Sequence, residues 1–215
     1  MEGISPTVVF TVAGIDIRDT VVSTWIMMAL VVSLAAIIGR RRPAALELIV
    51  DFISDTVSDI MGRPAAPYLP LLGSLAIFIT FANILGVFPG LQAPTRDVNT
   101  PLGLALVVFF SVHYYGVRAK GVFGYLRDLA QPIFLLPLEI IGQLSRTLSL
   151  SLRLFGNILS AELIVAIIFS LLPLFVPLPL VGLGIFTGLL QAYIFTALAA
   201  VYIASAIQAN PSLQE

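Results

Sequence analysis

Long apolar runs alternate along this chain with short polar breaks. Residues 20–39 carry no charge, and crossing a hydrocarbon core takes about 20 apolar residues, so they predict a first spanning helix. Arg40, Arg41, Arg42 and Pro43 stop it. Three arginines at a span end mark the cytoplasmic side and put the N-terminus outside. Residues 68–88 predict a second span, closed by Pro89 and Gly90, with residues 91–100 as a short outer loop. Residues 101–117 predict the return, and Arg118, Lys120 and Arg127 form a second basic cluster on the same side. The stretch 132–172 is unusual. At 1.5 Å per residue its roughly 40 residues would extend roughly 60 Å as a helix, about twice the bilayer core. Its middle, residues 143–153 (QLSRTLSLSLR), has neither proline nor glycine, which predicts one long tilted helix instead of a hairpin. Pro173, Pro177 and Pro179 predict an outer turn, and residues 180–208 a second long helix that ends in the cytoplasm. The expected fold is an all-α membrane protein, one transmembrane domain over residues 1–215, with five crossings.

Two segments break this pattern. In residues 44–62, Glu47, Asp51, Asp55 and Asp59 recur every fourth position, while Leu46, Ile49, Val50, Ile53, Val57 and Ile60 supply an apolar face. That spacing predicts an amphipathic helix on the cytoplasmic surface, its acidic stripe either solvated or docked against a partner's basic segment. Residues 1–19 lack the basic start of a secretory signal. Residues 7–17 are expected to form an ordered or interfacial arm outside the bilayer.

Composition narrows the function classes. Of 215 residues 59% are hydrophobic and 11% charged, with a mean hydropathy of +1.04; soluble domains are about a quarter charged. The solvent is therefore largely lipid. A net charge of −1 gives no reason to expect nucleic-acid binding. There is no cysteine, which excludes disulfides and thiolate chemistry, and a single histidine, His113, leaves no histidine cluster for a metal.

Against that background the charges inside the spans stand out. Glu139, Arg146, Arg153 and Glu162 all fall in the long apolar stretch, where each costs at least about 2.5–3.5 kcal/mol at mid-bilayer. Steps of seven residues make nearly two whole turns, so Glu139, Arg146 and Arg153 share one face, with Asn157 close to it. Glu162, nine residues past Arg153, faces about the opposite way. On the last helix, Gly184, Gly188 and Ala192 form a row that admits close helix approach. Gln191 there needs a hydrogen-bond partner, and Arg153 is the natural candidate.

Residues 148–162 (LSLSLRLFGNILSAE) resemble the signature of the ATP synthase a subunit: an arginine, then Leu-Phe-Gly-Asn, then an acid five residues after the Asn. Pro137-Leu138-Glu139 with Ser145-Arg146, the block Gln191-Ala192-Tyr193-Ile194-Phe195, and residues 94–106 (PTRDVNTPLGLAL) resemble further family segments in the same order. The resemblance implies an ion-translocating stator subunit, not catalytic alone and with no cofactor. Its implied partners are a ring of c subunits, b-type peripheral stalk subunits and the lipid bilayer. It implies that Arg153 is the essential arginine facing the ring, and that Asn157, Glu162 and Gln191 line the ion path. Glu139 would lie near the cytoplasmic half-channel and Arg146 beside the ring. The implied location is an energy-coupling membrane, the bacterial plasma membrane, and the translocated ion is H⁺ or Na⁺. One departure stands out: some family members carry an ionisable residue two turns before the Gln, where this chain has Gly184.

Two other classes fit less well. A secondary ion or solute transporter would also bury charges, but such folds show repeated halves, and this chain has no internal repeat. An intramembrane enzyme would need a Ser/His, paired-Asp or HExxH constellation, whereas His113 beside Tyr114 and Tyr115 suits a membrane interface. Asp97 and Asn99 in the outer loop are candidates either for a turn or helix cap or for the outer ion entrance. Glu139 could equally be a snorkelling, cytoplasm-exposed acid.

Overall fold

Proline and glycine punctuate a chain of long helices. The structure, a computed structural model, describes residues 8–12, 15–86, 93–130, 136–172 and 175–208. Strands β1 (Val8–Val12) and β2 (Ile15–Arg18) pair antiparallel, with Thr11 opposite Asp16, so the expected N-terminal arm is an ordered hairpin. Helix α1 (Asp19–Arg41) follows without a break. It ends because Pro43 disfavours helical geometry at Arg42, whose φ of −146° and ψ of 72° lie outside the helical region. Pro43 then opens α2 (Pro43–Met61) at its first position, where its missing N–H would have no partner anyway. In α2, Glu47, Asp51, Asp55 and Asp59 are exposed, and Val57 and Met61 enter the core.

Helix α3 (Leu69–Leu85) is apolar but has 17 residues, shorter than the predicted 68–88; Pro89 and Gly90 lie outside the described residues. A 3₁₀ turn, Pro94–Arg96, leads into α4 (Asn99–Ala130). Here the structure departs from the predicted 101–117 span. Helical geometry resumes within the basic cluster after a break at Gly121, whose φ of 74° and ψ of 162° are open to glycine for want of a Cβ. Helix α5 (Leu136–Leu171) is one uninterrupted helix of 36 residues, as the proline-free middle predicted. The predicted start at Pro132 lies outside the described residues. Helix α6 (Pro177–Ile207) begins three residues before the predicted 180. Pro177 and Pro179 therefore belong to its first turn and not to the connecting loop; a proline in the first turn forfeits no intrahelical bond.

Among the described residues four helices, α1, α4, α5 and α6, are long and apolar enough to cross a membrane. The core gathers around α6, which packs against α2, α3, α4 and α5. Phe195 and Ile203 of α6 are fully buried with Leu72 and Ile79 of α3 and Leu154 of α5. The small residues on α6 act as the spacing predicted. A Cβ at Gly188 would stand 3.0 Å from the Asn83 Cβ, and one at Gly184 3.8 Å from that of Ala161.

The close approach at Gly188 carries a hydrogen-bond chain. Asn83 Nδ2 donates to the Gly188 carbonyl (2.8 Å) and Thr95 Oγ1 donates to Asn83 Oδ1 (3.0 Å). Asn83 and Thr95 are both buried. Asn83→Ala orphans the buried Thr95 hydroxyl, which costs about 1–3 kcal/mol, and removes the side-chain tie to the Gly188 carbonyl. The variant is expected to lose several degrees of thermal stability in detergent, measured by the melting of helical circular dichroism. An unchanged midpoint would show that water replaces the amide.

Candidate functional site

The polar side chains of α5 fall into three groups along its axis. Arg153 is the eighteenth of the 36 residues, at the midpoint. It is exposed, as are Ser149 one turn before it and Leu152 beside it. Leu150, Ser151 and Leu154 turn the other way, into the core. Among the described residues no hydrogen bond or ion pair reaches Arg153. The expected Arg153–Gln191 contact is not formed. Gln191 is buried at 5% exposure, and its Nε2 has no hydrogen-bond partner. The two are kept apart by the sides of their helices: α5 turns Arg153 outward, while α6 turns Gln191 inward. Asn157, one turn beyond Arg153, reaches α6 instead, donating to the Thr187 carbonyl at 3.3 Å.

Toward the N-terminal end of α5 lies a cavity of about 310 Å³ between α4, α5 and α6. Glu139, Gln143 and Arg146 line it from α5, and His113, Lys120 and Asp128 from α4. Glu139 Oε1 accepts from Gln143 Nε2 (3.2 Å) and lies 3.9 Å from Arg146 Nη1, so the shared face of Glu139 and Arg146 is realised as contact. The Arg146 guanidinium also stands 5.9 Å from the Tyr202 ring centroid, within cation–π range. Lys120 and Asp128 pair at 2.7 Å across the Gly121 break and hold the end of α4 folded. Tyr125 walls the cavity beyond that break, its ring 5.9 Å from the His113 ring. His113 is itself fixed by its neighbour one turn earlier, its ring 4.5 Å from Phe109 and its Nδ1 2.8 Å from the Phe109 carbonyl.

Toward the C-terminal end lies a second cavity, of about 320 Å³, bounded by α3, α5, α6 and Ala93. Glu162 is the titratable group lining it among the described residues. Its Oε2 is 3.0 Å from Arg96 Nε, the two side chains being 31% and 12% exposed. The distance makes an ion pair, although the Nε–H does not point along it as a hydrogen bond requires. On sequence alone Glu162 lacks a partner, because α6 offers only Gly184. The structure supplies one from the 3₁₀ turn. A cation next to Asp97 in so weakly charged a chain was the available signal. Asp97 itself is engaged elsewhere, accepting from Arg18 Nη1 (3.0 Å) and from the Asn99 backbone N–H (3.1 Å). The Asn99 bond gives it the turn-and-cap role.

The cavities thus lie on either side of Arg153 along α5. From Arg146 to Glu162 is 16 residues, about 24 Å of helix, and neither cavity includes Arg153 among its lining residues.

The family model for the ATP synthase A chain matches residues 20–204. A protein of a Bradyrhizobium species named ATP synthase subunit a 2 is 46% identical over 199 residues, covering 89% of both chains. One of the same name from Acaryochloris marina is 45% identical over 205 residues, covering 91% of this chain and 88% of the other. ATP synthase subunit a of Moorella thermoacetica is 37% identical over 202 residues, covering 90% and 93%. With the match running from the start of α1 nearly to the end of α6, the chain belongs to the ATP synthase A chain family.

Proposed function

We propose that this chain is the ion-conducting stator of the ATP synthase membrane sector, with Arg153 facing a rotating ring of c subunits between two offset half-channels. As a member of its family it is a multi-pass membrane subunit of the synthase and is not catalytic by itself. The observation that carries the finer reading is Arg153 itself. A permanent charge at the middle of a long apolar helix, exposed and with no hydrogen bond or ion pair among the described residues, is too costly to leave idle in lipid. Its counter-charge must come from another subunit, and a moving carboxylate is the partner that the family resemblance supplies.

The mechanism is electrostatic. A ring carboxylate in lipid is neutral, because desolvation disfavours its charged form. Meeting Arg153 it ionises and releases its ion into one cavity, then reloads from the other before re-entering lipid. In this reading the cavity of Glu139, Gln143 and Arg146 is the cytoplasmic half-channel, and that of Glu162 the outer one. Asn157 and Gln191 stand between them on the ion path, Gln191 from the buried side of α6, where its Nε2 has no hydrogen-bond partner among the described residues. Arginine suits the central position because its charge is effectively permanent, and that charge bars H⁺ or Na⁺ from leaking straight across. Each elementary charge crossing 100 mV supplies about 2.3 kcal/mol.

The same reading gives the chain five crossings as a single transmembrane domain over residues 1–215, with α3 as the shortest span. α2 lies on the cytoplasmic surface, where its acidic stripe faces water or a b-type stalk subunit. The membrane is the bacterial plasma membrane, with the N-terminus outside and the C-terminus inside. The chain lacks cysteine, so a cysteine placed at Leu213 is expected to react with an impermeant maleimide only from the cytoplasmic side. Reaction from the outer side alone would overturn the topology. The ion path is tested by ATP-driven pumping in membrane vesicles whose complex carries Arg153→Ala, with assembly checked by co-purification of the chain with the ring.

A further inference from the structure

We propose that Arg96 is a resident counter-cation of the outer half-channel, competing with the translocated cation for the Glu162 carboxylate and so setting the concentration at which that half-channel loads. The inference rests on the ion path above and adds a residue to it. Three observations carry it. Arg96 and Glu162 are an ion pair at 3.0 Å, both largely withdrawn from solvent. The carboxylate also lines a cavity of about 320 Å³, ample for water and a small cation, in which Glu162 is the titratable lining residue among those described. Arg96 sits on a turn that is pinned on both sides. Thr95 is tied through Asn83 to the backbone of α6, and Asp97 is tied to Arg18 and to the start of α4.

The walls explain why the counter-charge comes from a turn. α3 contributes Asn83 to the cavity; α6 contributes Leu180, Val181 and Gly184. None of these can carry charge. Arg153 is nine residues away on the opposite side of α5. Asp97 and Arg18 are paired with each other. Among the described residues Arg96 is therefore the charged group paired with Glu162. A cation arriving from outside exchanges with the guanidinium, and the guanidinium returns when the cation moves on. The carboxylate is compensated at every stage, which matters where an uncompensated charge is costly.

The test is Arg96→Gln in the whole complex, reconstituted in vesicles, reading the outer cation concentration that half-saturates ATP synthesis. Na⁺ is varied at fixed pH in one arm and pH without Na⁺ in the other, which separates the two candidate ions. Without its competitor Glu162 holds the cation more tightly. The half-saturating concentration is expected to fall about tenfold, while the maximal rate of outward pumping falls because release slows. Arg96→Lys, which keeps a cation, is expected to stay near the native value. An assembled Arg96→Gln complex with native half-saturation in both arms, or an Arg96→Lys complex shifted as far as Arg96→Gln, overturns the competitive role. If Arg96→Gln does not assemble, the double variant Arg96→Gln/Glu162→Gln decides. Recovery of assembly shows that the fault was an orphaned carboxylate, as proposed; continued failure shows that Arg96 merely holds the turn, and overturns the inference. Arg153→Ala run alongside separates the two readings. Loss of pumping there with unchanged half-saturation in Arg96→Gln sinks the counter-cation alone, whereas normal pumping there sinks the ion path and this inference with it.

Discussion

A complex carrying Arg153→Ala is expected to assemble fully and to pump no ions. Assembly survives because the substitution removes a cost. At mid-bilayer the charge is unfavourable by at least about 2.5–3.5 kcal/mol, and the side chain contributes no hydrogen bond or ion pair among the described residues. Leu150, Ser151, Leu154 and Ile158, the residues that anchor this part of α5, are untouched. Function is lost for the converse reason. Two unit charges 4 Å apart at an effective dielectric constant of about 20 attract by about 4 kcal/mol, roughly a thousandfold in an equilibrium. Without that attraction nothing at the stator forces the ring carboxylate to ionise. Synthesis driven by an ion gradient is expected to fail together with pumping, and passive leak to rise as the barrier between the cavities goes. Arg153→Lys is expected to be badly impaired as well, since an ammonium lacks the planar fork and can shed its proton in a dry site. The measurement is ATP-driven pumping and ion-driven synthesis in vesicles, scored only for complexes in which the chain co-purifies with the ring. Normal pumping by an assembled Arg153→Ala complex would refute the stator mechanism, whatever the family match.

Glu162→Gln is expected to cut ion flux roughly a hundredfold, the scale on which a missing proton-transfer group is felt, and to leave assembly intact. The amide keeps the length and the acceptor oxygen of the acid, so it can still receive a contact from Arg96. What it loses is the ability to hold and pass on a cation. The cavity wall contains no second titratable group among the described residues to take over. Flux should be compared in both directions across a wide pH range. If it matches the native complex throughout, Glu162 serves only as a structural partner of Arg96.

Much of this architecture was readable from residues alone, for a physical reason. In lipid each backbone polar group must find its partner within its own helix, so a span is a local property of length and hydropathy. The apolar run 20–39 became Asp19–Arg41, and the proline-free stretch around residues 143–153 became the unbroken Leu136–Leu171. The seven-residue spacing put Glu139 and Arg146 in contact, and Gly184, Gly188 and Ala192 marked a close-packed helix face. Errors fell where local rules allow two outcomes. Pro177 and Pro179 suit a turn or a helix start equally well, and α6 used them as a start. Gly121 suits the end of a helix or a break within one, and α4 resumed beyond it, closed by Lys120 and Asp128.

Residue order alone settles where the long helices run, which polar groups they carry inside the apolar stretches and on which face of each helix those groups lie. It could not determine which groups meet. Arg153 and Gln191 looked like partners across neighbouring helices, yet the way α5 and α6 are rotated against each other turns one outward and the other into the core. Glu162 looked solitary because its sequence neighbourhood and the facing position on α6 hold no charge. Its partner, Arg96, arrives from a turn 66 residues earlier, swung into place by Asn83, Thr95 and Asp97. Helix rotation and the path of a turn depend on the packing of every element at once, whereas periodicity is a property of one helix at a time; only the tertiary structure could decide those pairings.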